Sequence, residues 1–128
     1  MTNEIVFYVV VGILILISAR RFVVNRSITH YSVPEVAERI QTNRGVFLLD
    51  VRTEKEWSQG HIKGAHHIPL HELARRSSEL DKHKNREIIC YCQTGNRSIS
   101  AALRLKRLGF STASMKGGIA EWNFQNRA

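Results

Sequence analysis

The sequence predicts an α/β fold, with a parallel sheet of about five strands and helices on both faces, preceded by one N-terminal transmembrane helix. Short apolar runs alternate with helical patterns from residue 29 onward, and this alternation is typical of a parallel sheet covered by helices. The clearest strand is the apolar run at residues 46–51, which has the composition of a buried parallel strand. The third observation is an apolar N-terminal segment of different character.

This segment, residues 5–19, contains only apolar or small residues. As a helix it extends about 22 Å, and counting on to Val24 gives about 30 Å if the two arginines that follow it extend to the headgroups. A cleaved signal peptide is disfavoured, since Glu4 precedes the run and positive charge follows it. A core helix needs a polar face, which this segment lacks. We therefore expect residues 1–24 to be a membrane anchor.

The orientation of this anchor follows from its flanking charges. Arg20, Arg21 and Arg26 lie at one end, and the positive-inside rule keeps that end cytoplasmic. The short N-terminus then lies outside the membrane, and the folded domain lies in the cytoplasm. The only cysteines, Cys90 and Cys92, are two apart on one predicted strand, a spacing that disfavours a disulfide and fits a reducing compartment.

After the anchor we expect a polar linker at residues 25–31 and one domain at residues 32–126. Its patterns predict strands at residues 29–33, 46–51, 65–68, 87–91 and 112–115. They predict helices at residues 34–42, 54–59, 70–80, 98–108 and 119–125. Pro34 is placed to open the first of these helices and Thr53 to cap the second, whereas Gly60 and Gly109 follow helix ends.

The charge pattern limits the classes of partner. The net charge is +8, and an excess of basic residues remains beyond the anchor. This excess favours anionic small molecules, anionic lipid surfaces or acidic proteins as partners. The basic residues are scattered without interleaved aromatic residues, so we expect no nucleic-acid binding.

The strongest chemical signal is Cys92, which ends the strand at 87–91 and begins a loop that leads into the helix at 98–108. Backbone N–H groups of such a loop, together with a helix N-terminus, bind anions and lower a thiol pKa. Gly95 permits a sharp bend, while Arg97 and Ser98 supply a charge and a cap. Cys92 is therefore a candidate nucleophile, although the same pattern fits a buried cysteine beside an ordinary turn equally well. A cysteine protease site is also possible, but the sequence brings no histidine to Cys92.

Three segments resemble the rhodanese family of sulfurtransferase domains. They are LLDVRTEKEWSQGHIKGAHHIPL at residues 48–70, CQTGNRS at 92–98 and KGGIAEW at 116–122. The resemblance implies that Cys92 takes the outer sulfur of a small anionic donor such as thiosulfate and passes it to a thiol, cyanide or protein acceptor. It also implies a persulfide-binding loop without a cofactor, formed by Gln93, Thr94, Gly95, Asn96 and Arg97. Membrane-anchored bacterial forms of such domains are a recognised arrangement, and the resemblance therefore implies a location at the inner membrane.

The length of the loop separates related chemistries. Cys92 and Arg97 enclose four residues, as in sulfurtransferases of this family, whereas related phosphatases and arsenate reductases have one residue more to accommodate a tetrahedral anion. A phosphatase-like activity is disfavoured but stays open.

The neighbouring Asp50 and Arg52 are expected to be a supporting acid–base pair, with Arg52 as a second source of positive potential. Arg97 is expected to support the anion, unless it points outward to a carboxylate.

The remaining signals are weaker. Four of the six histidines lie within eleven residues of one another, but their spacing matches no metal-ligand pattern, and we expect no metal site. These four are His61, His66, His67 and His71. A non-catalytic docking or sulfur-carrier module tethered to the membrane is the alternative function. The intact cysteine argues against it.

Overall fold

The computed structural model describes residues 2–42 and 45–126 and confirms the predicted fold class. Five parallel strands form one sheet in the order β1-β5-β4-β2-β3. The strands are β1 (Thr29–Tyr31), β2 (Val46–Asp50), β3 (His66–His67), β4 (Glu87–Tyr91) and β5 (Ser111–Met115). The α-helices are α1 (Thr2–Ser27), α2 (Val33–Gln41), α3 (Glu54–Ser58), α4 (Leu73–Arg76), α5 (Asn96–Arg107) and α6 (Gly118–Gln125).

The core lies on both faces of the sheet. Alternate residues of β4 point to opposite sides, so Ile88 and Cys90 belong to one apolar cluster and Ile89 and Tyr91 to the other. Helix α5 covers the first cluster with its buried alanines and Leu105, while α2 and α6 cover the second. Strand β4 is therefore the central strand, and Cys92 leaves the sheet from its middle.

The segment predicted as one helix at residues 70–80 is divided. Leu70–Glu72 is a 3₁₀ turn, α4 follows, and Ser77–His83 is again 3₁₀. The segment begins after Pro69, which provides no side-chain cap, so no side-chain hydrogen bond stabilises an α-helical first turn at its start. Leu73 and Leu80 are nevertheless buried, and they hold this segment against the sheet.

The expected linker at residues 25–31 has regular structure. Helix α1 continues to Ser27, Ile28 is buried in the core, and β1 pairs with β5. Lys106 Nζ, on α5, donates a hydrogen bond to the Ser27 carbonyl oxygen over 2.7 Å. Helix α1 is therefore joined to the sheet directly rather than through a separate linker.

Most of α1 projects away from this core. Its large apolar side chains are exposed, with values such as 62% for Ile5 and 70% for Leu16. The segment Thr2–Val23 is long and apolar enough to cross a membrane.

The parallel register positions the candidate site. Asp50 at the end of β2 is paired with Tyr91 at the end of β4. The residues that follow these two strands therefore emerge side by side, at the carboxyl edge of the sheet where open α/β sheets bind ligands. Helix α3 begins close by with a reciprocal capping box between Thr53 and Glu56.

Candidate active site

Cys92 lies directly after β4 at the base of a tight loop. Its side chain is buried, with 1% exposed, and its Sγ accepts a hydrogen bond from the Gly95 N–H over 3.1 Å. Gly95 precedes α5 with φ of 110°, a backbone conformation that residues with a Cβ rarely adopt. Helix α5 begins at Asn96, two residues before the predicted start, so its first turn is part of the loop around the sulfur.

The surroundings of Cys92 favour its thiolate. Burial opposes ionisation, but hydrogen bonds from the backbone N–H groups of Ser98, Gly95 and Thr94 and from the Ser98 hydroxyl outweigh it and lower the pKa of Cys92. The Ser98 Oγ is 3.8 Å from Sγ and 2.7 Å from the Ser114 Oγ. The sequence predicts Ser98 as a cap, and the structure places it beside the sulfur.

Cys90 contrasts with Cys92 although it is two residues away. Its side chain is fully buried in the apolar core. Burial, together with the neighbouring Cys92 charge, raises the pKa of Cys90. Only Cys92 therefore has the surroundings of a reactive thiol.

Helix α6 fixes the loop from the opposite side, a role that no local sequence pattern predicts. The backbone N–H of Ile119 donates to the Cys92 carbonyl over 2.9 Å, and that of Ala120 donates to the Gln93 carbonyl over 3.1 Å. Because these carbonyls are held by α6, the loop amides are free to face the sulfur. A Cβ on Gly118 would lie 2.4 Å from the Cys92 carbonyl oxygen, so only glycine fits. The paired glycines 117–118 indicate a turn before α6, but they do not indicate that α6 contacts the Cys92 loop.

Asp50 and Arg52 form the buried pair that the sequence predicts. Arg52 Nη2 and Nε donate to Asp50 Oδ2 over 2.8 and 3.0 Å, and Nη2 also donates to the Gly60 carbonyl over 2.7 Å. The remaining nitrogen, Nη1, is 3.4 Å from Gln93 Oε1. This pair therefore ties the loop after β2 to the Cys92 loop, and its charge is balanced internally.

The Arg97 side chain points to the carboxylate of Glu56. Of the two orientations expected from the sequence, toward the bound anion or outward to a carboxylate, the structure has the second. Arg97 Nη1 and Nη2 donate to Glu56 Oε1 and Oε2 over 2.6 and 2.8 Å. Hydrogen bonding to Arg97 is the main cause that lowers the pKa of Glu56 to about 2. The charge of Arg97 is thus compensated, and its bidentate contact anchors the start of α5 to α3.

Two of the histidines support this edge of the sheet. His61 and His67 stack on the Trp57 ring with centroid distances of 3.5 and 4.7 Å. His67 Nε2 is 2.8 Å from the Arg52 carbonyl oxygen. No cluster of potential metal ligands occurs among residues 2–42 and 45–126.

The hydrogen bonds of Cys92 lead to a pH-dependent prediction. Alkylation of Cys92 by iodoacetamide should rise with pH as the thiolate forms, and its midpoint should lie below that of a free cysteine because the pKa of Cys92 is lowered. Ser98→Ala removes a hydroxyl that supports the thiolate, so the midpoint should move to higher pH. Ser100→Ala, an exposed change on the same helix, is the control. An unchanged midpoint in Ser98→Ala would contradict this role.

These features define a class of protein: a parallel α/β domain whose central strand delivers a buried cysteine into a ring of backbone N–H groups between two helix N-termini. Residues 32–125 match the family model described as a rhodanese-like domain. The chain belongs to the rhodanese-like family.

Several relatives have names that state an activity. A sulfurtransferase of Allochromatium vinosum is 34% identical over 88 residues, which cover 68% of this chain and 80% of that protein. The thiosulfate sulfurtransferase GlpE of Pseudomonas putida is 34% identical over 90 residues, covering 70% and 80%. The chain spans only 51% of another relative, YrkF of Bacillus subtilis, with 34% identity over 97 residues. The crystal structure of a rhodanese-related protein from Thermoplasma volcanium superposes with a TM-score of 0.70 at 27% identity, covering 78% of this chain and 95% of that one.

Proposed function

We propose that this protein is a membrane-anchored sulfurtransferase that carries sulfane sulfur as a persulfide on Cys92. The observation that carries the proposal is the buried Cys92 sulfur within hydrogen-bonding reach of the loop amides, with a lowered pKa. A thiolate is the nucleophilic form of cysteine. Membership of a family that includes proteins named sulfurtransferase supports the same reaction.

Sulfur uptake from thiosulfate needs no external oxidant or reductant. The Cys92 thiolate attacks the outer sulfur of the donor and forms a new S–S bond. The S–S bond within thiosulfate breaks, and sulfite leaves with its electron pair. The outer sulfur of the Cys92 persulfide then carries the negative charge, and the N–H groups that already surround the Cys92 sulfur, those of Thr94, Gly95 and Ser98, are the nearest donors to stabilise it.

Sulfur release is a second nucleophilic substitution at the same outer sulfur, with Cys92 now as the leaving group. An acceptor thiolate, cyanide or a protein cysteine attacks the outer sulfur, and Cys92 departs as a thiolate. A thiol of lowered pKa is a better leaving group in such exchange. The amides around Cys92 therefore assist both half-reactions.

The N-terminal helix determines where in the cell we expect this reaction to take place. Helix α1 is long and apolar enough to span the bilayer, and the positive-inside rule places Arg20, Arg21 and Arg26 on the cytoplasmic side. We infer a single-pass protein of a bacterial inner membrane with its N-terminus outside and the Cys92 loop in the cytoplasm.

Turnover of thiosulfate and cyanide to thiocyanate tests the proposal. The full-length protein should turn over, Cys92→Ser should be inactive because it has no thiolate, and Cys90→Ala should stay active because Cys90 is enclosed in the core. Two outcomes would contradict sulfur transfer. Hydrolysis of a phosphate monoester without sulfur uptake would indicate the phosphatase-like alternative, and full cellular function of Cys92→Ser would indicate the docking module.

A further inference from the structure

Two cavities lie between the end of the anchor helix and the Cys92 loop. The larger, about 740 Å³, has Arg20, Arg21 and Phe22 of α1 on one side and Asn96 and Arg97 on the other. The second, about 560 Å³, is lined by Phe22 and Arg26 of α1 and, across from them, by Thr94, Gly95 and Lys116. The last turns of α1 thus face the loop that surrounds the sulfur.

The charge of these walls is of one sign. No aspartate or glutamate lies among the described residues that line either cavity. Within the described part of the chain, none of the ion pairs involves Arg20, Arg21, Arg26 or Lys116. The Arg26 guanidinium instead lies over the Phe22 ring, 4.8 Å from its centroid, so the apolar ring positions the charge without neutralising it.

Two other arginines near the site, one close to Cys92 in sequence and one in the loop after β2, do not add to this positive charge. Arg97 is paired with Glu56, and Arg52 is paired with Asp50. Each of these arginines has a carboxylate in bidentate contact, which cancels most of its field at a distance. The uncompensated positive charge beside the loop therefore comes from the anchor helix and from Lys116.

We propose that Arg20, Arg21, Arg26 and Lys116 form a cationic vestibule that selects anionic sulfur donors for Cys92. The inference rests on the proposed function and adds the residues outside the Cys92 loop that attract a donor with two negative charges. Clefts lined by one sign of charge concentrate oppositely charged substrates and raise association rates by about 10- to 1,000-fold at low salt. In this arrangement the anchor helix contributes to the site as well as to the membrane attachment.

The test uses the full-length protein in nanodiscs of neutral phosphatidylcholine, where both faces are accessible and the orientation in cells has no influence. A triple variant, Arg20→Gln with Arg21→Gln and Arg26→Gln, is compared with wild type. The matched control removes three exposed arginines outside both cavities, Arg75→Gln with Arg104→Gln and Arg107→Gln. All proteins carry Cys90→Ala, so that Cys92 is the only thiol.

Two rates are measured at low ionic strength. The first is sulfur uptake from thiosulfate, which should fall about tenfold in the anchor variant and little in the control. The second is alkylation of Cys92 by iodoacetate, which is anionic, relative to iodoacetamide, which is neutral. That ratio should also fall in the anchor variant, while the iodoacetamide rate alone stays constant because the loop is intact. Added salt should reduce the wild-type rates toward those of the variant.

The outcomes separate this inference from the function on which it rests. Equal thiosulfate and iodoacetate rates in the anchor and control variants would overturn the vestibule, even if sulfur transfer occurs. A lost iodoacetate preference without sulfur uptake by any variant would support the vestibule and refute the sulfurtransferase. If anionic phosphatidylglycerol in the nanodisc lowers the iodoacetate preference of wild type to that of the anchor variant, and leaves the anchor variant itself unchanged, the arginines bind lipid headgroups, and the donor site is overturned.

Discussion

Replacing Gly118 by alanine is expected to slow persulfide formation on Cys92 by about 100-fold, the scale of a misplacement of roughly 1 Å in a reacting group. The new Cβ would lie 2.4 Å from the Cys92 carbonyl oxygen and 2.5 Å from that of Gln93. Either α6 or the loop must move, and the two hydrogen bonds from Ile119 and Ala120 are lost or distorted. A single-turnover rate of sulfur uptake from thiosulfate measures the effect.

Gly109→Ala is the matched control for Gly118→Ala. Gly109 also has a positive φ, 93°, but among the described residues no atom beyond its own chain neighbours lies within 4 Å of the position that its Cβ would occupy. The control therefore shares the backbone strain of a left-handed alanine without the collision. Comparable uptake rates in the two variants would show that α6 does not position the Cys92 loop.

Asp50→Asn is expected to lower the free energy of unfolding by about 3–5 kcal/mol, the usual effect of removing one partner of a buried ion pair. Arg52 is only 3% exposed and Asp50 is fully buried. Without the carboxylate charge, the guanidinium stays buried and uncompensated. Urea denaturation of the full-length protein in detergent measures the change.

Glu72→Gln provides the comparison for Asp50→Asn. Glu72 pairs with Arg75 and Arg76 at the surface, and exposed pairs contribute about 1 kcal/mol or less. The unfolding free energy should therefore change little. A loss in Asp50→Asn no larger than that in Glu72→Gln would contradict the structural role of the buried pair.

Local sequence patterns were sufficient for most of the fold. The alternation of apolar runs and helical patterns predicts all five strands, and Thr53 predicts the cap that α3 has. The segment at 70–80 was wrong as one helix, because apolar spacing does not distinguish a continuous α-helix from successive 3₁₀ and α turns. The linker expected at residues 25–31 was wrong at its start, because α1 continues to Ser27 beyond the apolar segment from which the end of the helix was predicted.

The candidate site was likewise predicted from the sequence only where its features are local in the chain. The strand–cysteine–glycine–helix order is local, and it predicts the loop around Cys92. The contacts of Glu56 with Arg97 and of α6 with the loop carbonyls join distant segments, so no local pattern contains them. The approach of Arg20 to the loop likewise depends on the angle at which α1 leaves the sheet.

Mass spectrometry of the full-length protein after incubation with thiosulfate tests the central claim most directly. Persulfide formation on Cys92 requires the gain of one sulfur on the peptide that contains this residue, its removal by cyanide with formation of thiocyanate, and no gain in Cys92→Ser. Cys90→Ala should gain the same sulfur as wild type. Sulfur retained on another residue in Cys92→Ser, or an unmodified Cys92 in wild type, would contradict a Cys92 persulfide.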